Sequence, residues 1–99
     1  MESKIEGKLI LFRDRKYSCQ FDPYTQNRPY EEFPMRGFSS ETDLRQVLQE
    51  MEIDQTQIDN ALAEVGSKPR CVIQHVVLSV DQLIHFGLIR IRDDALPSH

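Results

Sequence analysis

The sequence predicts an α+β domain: a small mixed sheet of about four strands, an N-terminal hairpin plus two C-terminal strands, packed against a helical pair and one short helix. Three observations predict it. Tyr17, Cys19 and Phe21 alternate with Ser18 and Gln20, the period of a half-buried strand. Two stripes at helical spacing, Leu44/Val47/Leu48/Met51 and Ile58/Ala61/Leu62/Val65, follow each other closely. A β-branched apolar run, Cys71 to Leu78, lies beyond them.

The elements follow in order. Lys8 to Arg13 carries four consecutive apolar residues and reads as the first strand; the polar break Asp14-Arg15-Lys16 separates it from Tyr17–Phe21, so the two form a hairpin. No Asn-Gly or Asp-Gly signal marks the turn. Residues 22–38 show no period. Pro23, Pro29 and Pro34 each remove a backbone donor and fix φ, which predicts a Pro- and aromatic-rich loop.

Helices are expected near 41–51 and 55–65. Ser40 caps the first, with Glu41 and Asp43 in the turn where the helix dipole favours acids. Asp54 caps the second, with Gln57 in the position of a capping box. Gly66 is placed at its C′ position, and Pro69 stops any continuation. Residues 71–78 read as a central strand covered on both faces, with a short buried helix as the alternative that periodicity leaves open. Ser79 and Gln82 form another cap, predicting a helix over 80–86 ended by Gly87. Leu88 to Arg92 alternates and reads as a last strand, and 93–99 as a frayed tail.

The chain has 99 residues, the length of one domain, taken as 1–99. Apolar residues make up 39% and charged residues 28%, which excludes a disordered tail or a fibre. No apolar run is long enough to span a bilayer. The first twelve residues lack the features of a signal peptide, and the two cysteines then point to a reducing, cytoplasmic setting. Net charge is −4, and residues 39–66 hold one Arg against seven acids. Phosphate binding needs the opposite sign, so nucleic acid is not expected to dock on this block. Glu41, Glu50, Glu52, Asp59 and Glu64 fall outside the apolar stripes and are expected to face solvent.

No constellation carries chemistry. On a strand, Cys71 and His75 share a face but stand about 13 Å apart, too far for one metal ion. Cys19, His85 and His99 are scattered, so no metal and no cofactor is expected. A Cys–His nucleophile using Cys71 or Cys19 would need a lowered thiol pKa, and an apolar strand does not supply one. A contact between Cys19 and Cys71 on neighbouring strands is open, but a stable disulfide is not expected in the cytosol. The four glycines match no phosphate loop, and the paired acids Glu31-Glu32 and Asp93-Asp94 do not face each other.

The expected function is that of a small cytoplasmic protein-interaction or regulatory module without catalytic activity, its partner another protein or a second copy in a homodimer. The alternatives are a weak nucleic-acid accessory protein using Arg90 and Arg92, and, behind it, a small cysteine-dependent enzyme. Residues 22–38 hold Tyr24, Tyr30, Phe33 and Phe38, a density of rings that free tethers lack. Either the rings fold back as a lid on the core, or some stay exposed. Tyr, Phe, Met and Arg are enriched at interface centres, so Arg28, Tyr30, Phe33, Met35 and Arg36 are the candidate contact residues.

Overall fold

The structure, a computed structural model, describes residues 4–14, 16–25 and 29–92. In chain order its elements are β1 (Lys4–Arg13), β2 (Tyr17–Pro23), β3 (Glu31–Glu32), β4 (Arg36–Phe38), α1 (Glu41–Glu50), α2 (Gln55–Ser67), β5 (Arg70–Ser79), α3 (Val80–Phe86) and β6 (Arg90–Ile91). The architecture is the α+β one that the sequence predicts. The main sheet has the order β4-β2-β1-β5 and is antiparallel throughout. Its fourth strand is β4, drawn from within residues 22–38. Of the two C-terminal strands only β5 joins it. Leu88 and Ile89 are buried in the core, which leaves β6 two residues long and paired with β3 in a separate ribbon. Among the described residues no helix is long and apolar enough to cross a membrane.

One face of the sheet meets the helices. Leu9 and Leu11 of β1, Phe21 of β2, Ile73 and Leu78 of β5 join Leu44, Leu48, Ile58, Leu62 and Leu83 in a single apolar cluster. Both helical stripes bury as the spacing predicts, and Glu41, Glu50, Glu52, Asp59 and Glu64 are exposed. Ser40 accepts the N–H of Asp43, Asp54 accepts those of Thr56 and Gln57, and Ser79 and Gln82 complete a reciprocal box. Gly87 ends α3 at φ +72°, a conformation glycine adopts without Cβ strain.

Two local readings are corrected. Gly66 is not a C′ residue: α2 runs through it to Ser67, and Lys68 takes an extended conformation at φ −128°. Pro69 is the terminator, because its ring disfavours helical backbone in the residue before it. Residues 71–78 form the expected strand, but at the edge of the sheet with Gln74, His75 and Val77 exposed, not in its centre covered on both faces, and their alternation breaks midway. Leu9 pairs with Ile73 and Gly7 with Val76, so Gln74 and His75 together oppose Lys8 in a β-bulge. His75 takes φ +58° there. Cys71 therefore points into the core while His75 stands on the outer face, and the two do not share a side as a regular strand would require.

Gly7 has a second role at the same level of the sheet. A Cβ on Gly7 would collide with the carbonyl oxygen of Asp22, the Cα of Pro23 and the ring of Phe21. Its absence lets β2 run close past β1 and seats Phe21 in the core.

Candidate functional site

Residues 30–38 are built into the fold by backbone pairing at both ends. Cys19 pairs with Arg36 and Tyr17 with Phe38 along β2. Glu31 pairs with Ile91 and Glu32 with Arg90, and the N–H of Arg92 donates to the carbonyl of Tyr30 at 2.8 Å. The prolines punctuate this path. Pro29 precedes β3 and Pro34 separates it from β4, at positions where no ladder donor is needed.

The five candidate contact residues divide. Tyr30 is 48% exposed and Met35 53% exposed, on either side of β3. Phe33 turns inward, its ring 5.9 Å from that of Phe21, and its carbonyl accepts Nε2 of Gln20 at 2.8 Å. Arg36 is also committed to the fold. Its guanidinium donates to the carbonyl of Phe86 at 2.7 Å and lies over the Phe38 ring at 4.8 Å. That bond ties the C-terminus of α3 to β4 and satisfies a carbonyl that the helix leaves without an internal donor. Arg28 lies outside the described residues, as does the tail 93–99.

Of the segment's rings, Phe38 belongs to the core, Phe33 borders it, and Tyr24 crosses the outer face to β5. Tyr30 alone stands largely free, beside the ribbon. Ile91, 40% exposed and paired with Glu31, adds an apolar side chain to this ribbon that the sequence reading did not single out. No local signal marked it: Ile91 shares the parity of the buried Ile89, so alternation alone would place it inward.

The charged groups beside the ribbon are paired. Glu32 reaches Arg90 at 3.6 Å and Arg92 at 3.5 Å through its two oxygens. On the helices, Arg45 holds Asp59 at 2.6 Å, and this hydrogen bond, joined by one from Gln55, keeps the Asp59 carboxyl below its ordinary value.

The thiols are set apart from one another and from the histidines. Leu11 pairs with Cys19 on one side and with Cys71 on the other. Two strand spacings, about 10 Å, then separate the cysteines, beyond the reach of a disulfide. Burial pushes Cys19 up to about 12, against a smaller lowering by Arg36. Burial also raises Cys71, and the nearby Glu64 carboxylate, 3.5 Å from its sulfur, raises it further. Both remain protonated thiols at neutral pH, which is the unreactive form. No group of His, Cys, Asp and Glu among the described residues has metal-binding geometry.

Comparisons with family models, with curated proteins and with solved structures returned no match for this chain.

Proposed function

We propose that this chain is a cytoplasmic protein-interaction module without catalytic activity, contacting its partner through Tyr30 and Met35. The observation that carries this reading is the exposure of Tyr30 and Met35 on backbone held from both sides by strand pairing. A large side chain on a fixed backbone loses little entropy on binding, which is what an interface anchor requires. Phe33 and Arg36 tie the same segment to the core and to the α3 terminus. Arg28 stays in the proposal as a flanking cation on the strength of its place in the sequence.

Two features weigh against the alternatives. Glu32 sits between Arg90 and Arg92 and offsets the cationic charge that a phosphate backbone would need. The raised thiols, with Cys71 and His75 on opposite faces, disfavour a cysteine nucleophile.

The test is comparative capture from the native host with the wild-type chain and a Tyr30→Ala/Met35→Ala variant. A protein retained by the wild type and lost by a variant of unchanged melting temperature supports the reading. Identical captures by the two overturn it.

A further inference from the structure

The two edges of the main sheet are unequal. At one edge β4 is three residues long, follows Pro34, and has the Lys16 side chain lying over Gly37. Short length, proline and lysine are the devices that keep a sheet edge from pairing. At the other edge β5 runs for ten residues, Arg70–Ser79, with no proline and no lysine. Only the bulge at Gln74 and His75 interrupts it.

The direction of its backbone groups follows from the register. The N–H of Arg13 donates to the carbonyl of Pro69 at 3.0 Å, so the odd-numbered residues of β1 bond toward β5. Cys71 and Ile73, paired with Leu11 and Leu9, therefore turn their N–H and C=O inward. Arg70, Val72 and Gln74 turn theirs outward. Among the described residues no strand pairs there, and the N–H of Val72 has only the Cys71 sulfur beside it, a weak acceptor.

We propose that this edge is the seam of a two-fold homodimer, with Val72 on the axis and the two four-stranded sheets joined into one of eight strands. Antiparallel pairing about Val72 sets Val72 against its copy and Arg70 against Gln74 of the second copy, so every outward group of this stretch meets a complement and no like charges oppose. The helices fit the same operation. Helix α2 packs on the edge strand β5 as well as on β1, so the operation brings the two copies of α2 next to each other on one face of the joined sheet.

The facing rim suits a copy of itself. An open groove of about 260 Å³ runs beside Cys71–Gln74, and Gln57, Asn60 and Glu64 form its helical wall. Side-chain amides donate and accept alike, so they meet their own copies without conflict. The Glu64 carboxylate is offset by Lys68 at 3.3 Å. This seam is separate from the Tyr30 surface and does not depend on it.

Sedimentation equilibrium on the full chain, with amide hydrogen exchange, tests the seam. The expected mass is twice 11.6 kDa at high concentration, falling toward the monomer on dilution. The Val72 amide should gain protection as concentration rises, whereas that of Val77, outward on the same edge but beyond the bulge, should not. Val72→Pro removes the outward donor without breaking a bond to β1 and should give a monomer at every concentration. Val72→Lys sets two ammonium groups against each other on the axis and should raise the dissociation constant at least tenfold. It carries the test if the proline variant fails to fold. A wild-type chain that stays monomeric to millimolar concentration overturns the proposal. So does a dimer that survives Val72→Lys with a native circular-dichroism spectrum. Pairing of this edge with an extended segment of some other protein would appear as the first of these results.

Discussion

The hydroxyl of Tyr24 accepts the backbone N–H of His75 at 3.0 Å and donates to Oε1 of Gln74 at 2.8 Å. One phenol thus closes the bulge of β5 from the far side of β1. It supplies the partner for a donor that the bulge takes out of the strand ladder. The rings of Tyr24 and His75 meet edge-on, with centroids 5.9 Å apart. The chain has placed a β-bulge, a residue at positive φ and a cross-sheet phenol at one point, each needed by the others.

Tyr24→Phe keeps the ring and removes the hydroxyl. The N–H of His75 must then turn to water, so the expected cost is about 1 kcal/mol, a fall in melting temperature of about 4–8 °C for a chain of this size. His75→Gly should act in the opposite direction. A non-glycine residue at φ +58° carries left-handed strain, about 1–2 kcal/mol, and glycine removes it at a smaller entropic cost. Thermal denaturation followed by circular dichroism reads both. A fall with His75→Gly would mean that its ring contact with Tyr24 outweighs the strain.

The joint between α1 and α2 makes a similar prediction. Glu52 stands at φ +62°, its N–H bonds to the carbonyl of Gln49 at 3.0 Å, and that of Ile53 bonds to Leu48 at 3.4 Å. This is the Schellman arrangement, whose left-handed position favours glycine. The Glu52 side chain is exposed and has no described partner. Glu52→Gly should therefore raise stability by up to about 1 kcal/mol, measured as a higher urea midpoint at unchanged slope.

Alkali should weaken the fold through Cys19. The unfolded thiol loses its proton near its ordinary value of 9.0, and the folded one keeps it up to about 12. Between those values the unfolded chain binds fewer protons, so its population grows as pH rises. The stabilisation is whole below pH 9 and is lost progressively above it, by at most about 1.4 kcal/mol per pH unit for this group. Cys71 is shifted in the same direction and adds to the slope. Urea midpoints measured from pH 8 upward should fall for the wild type and fall less steeply for Cys19→Ala, whatever that variant's stability at neutral pH. Equal slopes would overturn the assignment.

These features differ in how legible they were. The helices could be read because their apolar spacing, caps and terminators are all local: Ser40, Asp54, Ser79 and Gly87 act within four residues of themselves. The bulge could not, because nothing near Gln74 and His75 announces it. It is set by Tyr24, fifty residues away, and by the register on β1. The same holds for β4. Arg36-Gly37-Phe38 has no period of its own and becomes a strand only because β2 offers it an edge. At the candidate surface, residue type singled out Tyr30, Phe33, Met35 and Arg36 together. Which of them faces solvent depends on partners distant in sequence, Phe21 for Phe33 and Phe86 for Arg36.

That division sets the last prediction, an alanine series over the segment. Tyr30→Ala and Met35→Ala remove side chains about half exposed. Surface substitutions of this kind stay within about 0.5 kcal/mol, so neither should move the melting temperature by more than a few degrees. Phe33→Ala removes a ring packed against Phe21 and the core. Its partial burial places the cost below the 3–5 kcal/mol of a fully buried ring, at about 2 kcal/mol. Arg36→Ala strips the Phe86 carbonyl of its donor and the Phe38 ring of its cation, for a loss of about 1.5–3 kcal/mol. The order of melting temperatures should thus be wild type, Tyr30→Ala and Met35→Ala together at the top, with Arg36→Ala and Phe33→Ala well below. Partner binding should show the reverse dependence, lost with Tyr30 and Met35 while the fold is intact. A large drop in melting temperature for Tyr30→Ala in the monomer would return that ring to the core and withdraw it from the surface.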